Sequence, residues 1–322
     1  MTELKVALIG AGNIARAHAD AYASVEGARL TTIVAPTLSR AQSLAAQHGA
    51  VALADYRELL SDPQIDAFDI CTPVDTHEQI AVLALEAGKH VSCQKPLALT
   101  LEACARVTQA AERSGKTLVV PYMHRHSPLT VEIKRPVEAG SIGRPVRAHY
   151  QMSCARGGFP DWFYDEARSG GVFVDTLTHG TNFFNWLFGK PSSVSGLLGS
   201  SGLPGQSDDN AAMIADYDGV IASLAATWTA PPSYPNIAME IIGTKGALRF
   251  STPTGTVLYH RLETVDETGT ITKESASRGH VEKAQHFVDL AIGRSVQPVS
   301  TAQAAIEALE VALQARDAAR GA

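Results

Sequence analysis

The sequence predicts an α/β protein: a doubly wound parallel sheet first, then an α+β domain with a large open, mostly antiparallel sheet. Three observations predict it. From Lys5 to Val120, short β-branched runs alternate with longer Ala/Leu-rich segments, a glycine-rich turn follows the first run, and beyond about Pro121 the apolar residues recur every second position. In the first part strands are expected at Lys5 to Ile9, Arg29 to Val34, Ala67 to Ile70, His90 to Ser92 and Thr117 to Val120, with helices beginning near Ile14, Ser39, Tyr56, Thr76 and Thr100. In the second part strands are expected at Val146 to Met152, Ser193 to Leu198, Ala211 to Tyr217, Val220 to Trp228, Ile237 to Ile242 and Ala247 to Ser251. Helices are expected over Thr130 to Glu138, Val174 to Leu187, Val281 to Ile292 and Ala302 to Ala319, and Tyr217-Asp218-Gly219-Val220 carries a hairpin signal. The domains are residues 1–123 and 124–322, the closing helix either staying with the second or packing back on the first.

Charge and cysteine usage exclude several classes of function. Lys plus Arg is 27 against Asp plus Glu 33, a formal net charge of -6, so no excess of positive charge attracts nucleic acid. Cys71, Cys93, Cys104 and Cys154 show neither CxxC spacing nor a paired pattern, so no metal site and no disulfide framework is expected. With no apolar run of about 18 residues and no signal-peptide core, the expected location is the cytoplasm.

The turn Gly10-Ala11-Gly12-Asn13-Ile14-Ala15 stands between the first strand and the first helix, the context that a GxGxxA dinucleotide fingerprint requires. Glycines at the first two positions permit the tight turn and let backbone N–H groups approach a pyrophosphate, and the helix N-terminus favours its negative charge. A ligand-free strand-to-helix turn is the weaker alternative. The second strand ends Thr32-Ile33-Val34-Ala35 without the acid that would accept from ribose hydroxyls. Ser39 and Arg40 follow instead, and a guanidinium there suits a 2'-phosphate. NADP(H) is therefore favoured over NAD(H).

These pieces, with others along the chain, resemble the glucose-fructose oxidoreductase, inositol dehydrogenase and rhizopine-catabolism (Gfo/Idh/MocA) family. The matching blocks are Gly10 to Ala15, Asp55 to Leu60, Cys71-Thr72-Pro73 with His77, Ala87 to Val91 running into Gln94-Lys95-Pro96 and on to Thr100, His124 to Pro128, Gly140 to Gly143, and the segment with Asp175, His179 and Trp186. The resemblance implies an N-terminal Rossmann domain, a second domain that pairs copies of the chain into a homodimer or homotetramer, and a carbohydrate-like substrate. It assigns catalysis to Lys95, Asp175 and His179, and cofactor contacts to Gly10, Gly12, Asn13, Ile14, Thr72, Pro73, His77, Gln94 and Lys95. Two departures stand out: Gln94 replaces the usual glutamate before the lysine, and Asn182 replaces the usual acid three residues after the histidine.

The chemistry follows from these residue types. Oxidising a secondary alcohol needs a base for the hydroxyl proton, a role for His179 oriented by Asp175 four residues earlier, while the Lys95 ammonium can stabilise the developing alkoxide. Tyr122, His124, Arg125, Arg156, Trp162, Tyr164 and His280 are candidate substrate contacts, and Gly157 to Trp162 reads as a covering loop. The expected activity is NAD(P)-dependent hydride transfer on a sugar, polyol or related compound. The alternatives are a glycoside-processing enzyme that retains its cofactor, or a non-catalytic dinucleotide-binding regulator.

Overall fold

The computed structural model describes residues 3–157, 159–201, 208–231, 234, 236–252 and 260–321. The chain divides into two units, Met1–Met123 with Gly279–Ala305, and His124–Arg278 with Ile306–Ala322. The first unit is built from β1 (Leu4–Ile9), α1 (Asn13–Tyr22), β2 (Ala28–Val34), α2 (Leu38–His48), β3 (Val51–Leu53), β4 (Ala67–Ile70), α3 (His77–Glu86), β5 (His90–Cys93), α4 (Leu101–Ser114) and β6 (Leu118–Val119). Its strands pair in parallel in the order β3-β2-β1-β4-β5-β6. With helices on both faces such strands are buried nearly end to end, as β4 is throughout. Two local expectations need correction. The short β3, with Val51 exposed, is a sixth strand too brief to show alternation. The helix expected from Tyr56 is a single 3-10 turn, Tyr56–Leu59, opened by Asp55, whose carboxylate accepts from the Arg57 N–H at 2.9 Å.

The second unit contains α5 (Pro128–Glu138), β7 (Pro145–Ala155), α6 (Glu166–Ser169), α7 (Thr178–Phe188) and seven further strands. These are β8 (Ser193–Gly199), β9 (Asn210–Asp216), β10 (Ile221–Ala230), β11 (Ile237–Gly243), β12 (Gly246–Ser251), β13 (His260–Asp266) and β14 (Gly269–Ser275). They form one eight-stranded sheet in the order β14-β13-β12-β11-β7-β10-β9-β8, antiparallel except for the β7/β10 pair. Along β10, Ala222, Leu224, Ala226 and Trp228 are buried, while Ile221, Ser223, Ala225 and Thr227 face the other side. The β9–β10 turn places Asp218 and Gly219 at φ 53° and 86°, the left-handed pair that a tight hairpin requires. The β13/β14 hairpin was missed because β14 is exposed along nearly its whole length and β13, among its described side chains, buries only Leu262 in a charge-rich run, so neither shows apolar alternation.

Helix α8 (His280–Ala291) returns to the first unit, and α9 (Ala302–Arg320) closes the chain. Residues 279–305, read from the sequence as part of the second domain, thus group with the first. The reason is the apolar stripe Ala284, Phe287 and Val288, which completes the core formed by Ala15, Ala19 and Tyr22 of α1 with the strands behind them.

Candidate functional site

In an open parallel sheet the connections diverge to opposite faces where the strand order reverses, leaving a crevice at the carboxyl ends of the strands. Here the reversal lies between β1 and β4. Gly10 follows β1, Cys71 and Thr72 follow β4, and Gln94 and Lys95 follow β5, so the matched motifs gather at one edge of one sheet. Gly10 sits at φ 122°, and a Cβ on it would lie 2.4 Å from the Cys71 carbonyl oxygen, so only glycine fits. At Gly12, by contrast, a Cβ would meet nothing within 4 Å. Asn13 and Ile14 are exposed on the first turn of α1, whose leading N–H groups have no intrahelical partner, and Ala15 beneath them is fully buried. This arrangement fits a dinucleotide pyrophosphate in both space and charge.

The loops after β4 and β5 are held together by His77. Its Nε2 lies 2.9 Å from the Thr72 carbonyl oxygen and its Nδ1 lies 2.9 Å from that of Pro96. Burial pulls its pKa below the ordinary value, against the two carbonyls. A neutral ring donates to only one of these carbonyls, and His77, 1% exposed, packs between the Thr72 loop and the Lys95-Pro96 loop. The Thr76 hydroxyl, 2.7 Å from both the Thr72 hydroxyl and the Pro73 carbonyl oxygen, further shapes the first of these loops.

Behind Gln94 is a polar cluster that the sequence reading did not identify. His18 Nδ1 lies 2.7 Å from Asp69 Oδ2, and its Nε2 lies 2.6 Å from Gln94 Nε2. Cys71 Sγ approaches the same Nδ1 at 3.4 Å, and the buried Lys283 of α8 acts electrostatically on both Asp69 and Cys71. Burial works to raise the Asp69 pKa, but His18, then Lys283 and Ser92, hold the carboxyl below its usual range. Burial pushes the Cys71 thiol well up and the Lys283 ammonium down to about 8. The ligand atoms of His18, Asp69 and Cys71 lie within 4.8 Å of one another. Within this trio the imidazole is bonded to the carboxylate, and the Lys283 ammonium supplies a countercharge to Asp69. The sequence did carry a signal: His18, Asp69 and Lys283 are polar residues at core positions of α1, β4 and α8.

In the second unit the expected single helix is two elements. Phe173–Leu177 is a π-helical turn carrying Asp175, and α7 begins at Thr178, one residue before His179. Such turns are rare, and they concentrate at functional sites. The Trp228 indole N–H donates to the Thr176 hydroxyl at 2.8 Å, and that hydroxyl donates to Asp175 Oδ2 at 3.1 Å, fixing the carboxylate from the sheet. Gly180 lets α7 sit directly on the sheet, because a Cβ there would lie 2.6 Å from the Tyr150 ring and 2.7 Å from Leu224. His124 Nε2 lies 3.1 Å from the Tyr150 hydroxyl, and its ring meets that of His179 edge-on at 5.9 Å. His124 is thus packed behind His179, 1% exposed. The Asn182 departure has a partner: Arg125 Nε donates to its Oδ1 at 2.7 Å, and the guanidinium stacks over Trp186.

The remaining predicted residues are more scattered. Ser39 and Arg40 are exposed on the first turn of α2. Tyr122 is buried at the end of the first unit's initial segment, and His280 opens α8 with its ring 6.1 Å from that of His18. In the second unit Arg156 is exposed just after β7, while Trp162 and Tyr164 flank Phe163 on a 3-10 turn, Asp161–Tyr164, where Phe163 packs against Trp228. Gly158, within the expected covering loop, lies outside the described residues.

Comparison with known proteins agrees with this geometry. Residues 4–122 match the model of an oxidoreductase family with an NAD-binding Rossmann fold, and residues 130–249 match the GFO/IDH/MocA C-terminal domain. The chain is 31% identical to scyllo-inositol 2-dehydrogenase (NAD(+)) of Bacillus subtilis over 258 residues, covering 78% of this chain and 74% of that one. It is 28% identical to levoglucosan dehydrogenase of Pseudarthrobacter phenanthrenivorans over 292 residues, covering 78% and 74%. A solved levoglucosan dehydrogenase, in complex with NADH and L-sorbose, shares the fold with a TM-score of 0.85 at 23% identity, across 100% of this chain and 98% of that one. The chain belongs to the GFO/IDH/MocA family of oxidoreductases, with its NAD-binding Rossmann fold at the first unit.

Proposed function

We propose that the protein transfers hydride between a nicotinamide dinucleotide and a secondary alcohol or ketone of a sugar, polyol or related compound. The observation that carries this reading is the gathering of the Gly10 turn, the Thr72 loop and Lys95 at the carboxyl edge of one parallel sheet, at its switch point. Gly10, Gly12, Asn13 and Ile14 hold the pyrophosphate, and Thr72 and Pro73 line the dinucleotide. The nicotinamide, when bound, supplies the hydride acceptor or donor. Lys95 donates a hydrogen bond to the reacting oxygen, and His179, oriented with Asp175, takes or returns the hydroxyl proton. NADP(H) is preferred over NAD(H), because no acid closes β2 and Arg40 stands exposed at the start of α2. The relatives' substrates suggest inositols and levoglucosan as the first compounds to try. The open face of the eight-stranded sheet takes a second copy of the chain. Among the described residues no helix is long and apolar enough to cross a membrane, in keeping with a cytoplasmic location.

The test is a fluorescence titration with NADPH and NADH, followed by absorbance assays on inositols, levoglucosan and other sugars and polyols. The expected result is tighter NADPH binding, weakened in Arg40→Ala, with turnover of a panel member that Lys95→Ala or His179→Ala abolishes while the cofactor still binds. Absence of dinucleotide binding overturns the reading, and so does near-normal turnover in either variant.

A further inference from the structure

The Lys95 backbone N–H selects one arrangement of the donors and acceptors around His18. Gln94 Oε1 lies 3.3 Å from the Lys95 backbone N–H and accepts from it, which turns the amide Nε2 toward His18 Nε2 at 2.6 Å. An amide nitrogen donates and does not accept, so His18 Nε2 must hold a lone pair. The ring proton is then on Nδ1, where Asp69 Oδ2 receives it at 2.7 Å. A single polarity therefore runs from Lys95 through Gln94 and His18 to Asp69, inside a site where His18 is 3% and Asp69 is 1% exposed.

We propose that His18 is a positioning residue, its tautomer set by Asp69, which orients the Gln94 amide and through it the backbone at Lys95. The inference rests on the reading that Lys95 acts on the substrate. The other titratable groups facing the cluster include Tyr22, Cys71, Cys93, Lys283, Lys95 and His280. Burial raises the first two, which stay protonated and neutral, while Lys283 provides the countercharge to Asp69. Burial, followed by the other influences on the ring, leaves His18 below its ordinary pKa, in accord with a neutral ring.

The identity of residue 94 acquires a meaning in this scheme. A glutamate, usual at this position in the family, has no N–H to offer, so a ring lying between it and Asp69 would need a second proton. Gln94 keeps the ring neutral with one carboxylate on its far side. Moving that carboxylate across the ring, with Asp69→Asn and Gln94→Glu together, leaves one negative charge and reverses the polarity: the new amide donates to Nδ1, and Nε2–H donates to the new carboxylate.

The experiment is nitrogen NMR of the histidine rings in the full-length chain, with His18 assigned through His18→Gln. It is run on the wild type, on Asp69→Asn, on Gln94→Glu and on the double variant, alongside pH profiles of kcat and KM. The wild type should show a neutral ring protonated on Nδ1. Gln94→Glu should show a ring protonated on both nitrogens, with kcat lowered about tenfold, KM little changed and a new ionisation in the kcat profile. The double variant should show a neutral ring protonated on Nε2 and recover most of kcat. A wild-type ring that is charged or protonated on Nε2 overturns the proposal without any variant. Unchanged kcat in Gln94→Glu, or no recovery in the double variant, overturns it too. The NMR signature needs no turnover, so failure of the dehydrogenase reading is distinguishable from failure of this one.

Discussion

The two sheets differ in where they leave room for chemistry. In the first unit β1, β4 and β5 are buried along almost their whole length, so polar side chains and ligands meet the sheet at the strand ends. In the second, β10 alternates buried and partly exposed residues, which leaves one whole face uncommitted. A parallel sheet wrapped on both sides concentrates function at an edge, whereas an antiparallel sheet covered on one side has a surface to spare. The contrast explains why one glycine beyond β1 matters more than several side chains along β9 and β10.

The largest expected effect breaks the edge. Gly10→Ala forces a Cβ onto the Cys71 carbonyl at a φ that alanine rarely adopts, and should destabilise the fold by roughly 3 kcal/mol while abolishing NADH binding. Denaturant unfolding and fluorescence titration measure both, and wild-type values would show that the edge tolerates what the geometry forbids. A smaller effect concerns the buried charge behind that edge. The folded-state pKa of Lys283 is lowered from 10.5 to about 8, so between those values the unfolded chain retains a proton that the folded chain has released. Stability contributed through Lys283 should therefore rise with pH across that window, by at most about 1.4 kcal/mol per unit, and the rise should vanish in Lys283→Met. A wild-type minus variant difference that stays flat from pH 8 to 10.5 contradicts it. The smallest effect on folding belongs to the open face: Ile214→Lys, at a position 51% exposed, should change the stability of the isolated chain by about 0.5 kcal/mol or less while dissociating the proposed oligomer. Sedimentation reads the second consequence, and an unchanged assembly removes this face from the interface.

Much of the first unit was legible because its signals are local. The Gly10 turn, the β-branched runs and the Thr100 cap, whose hydroxyl accepts from the Ala103 N–H at 3.1 Å, each declare their structure within a few residues. The strands from β7 to β12 were legible through alternation. The β13/β14 hairpin was not, since β14 is exposed on both faces and β13, among its described side chains, buries only Leu262, which leaves no apolar period to read. The π-turn at Asp175 was hidden because helix periodicity does not distinguish an inserted residue from a regular turn. For the candidate site, the spacing of Asp175 and His179 is readable in the sequence, but the neighbouring Thr176, Trp228 and Tyr150 come from the packing of α7 on the sheet, which spacing does not encode. His18 was overlooked because it lies three residues beyond the Gly10 to Ala15 motif.

The discontinuous first unit also bears on how the chain is made. The core behind α1 is finished by Phe287 and Val288 of α8, residues that leave the ribosome only after β7 through β14 have been synthesised. Until then the apolar flank of the nascent first unit lacks Ala284, Phe287 and Val288, which belong to the same core cluster as Tyr22, Val25 and Ala28. Its last step of consolidation waits on the far end of the message, and a product stopped near residue 278 would present that flank to chaperones and proteases instead of to α8.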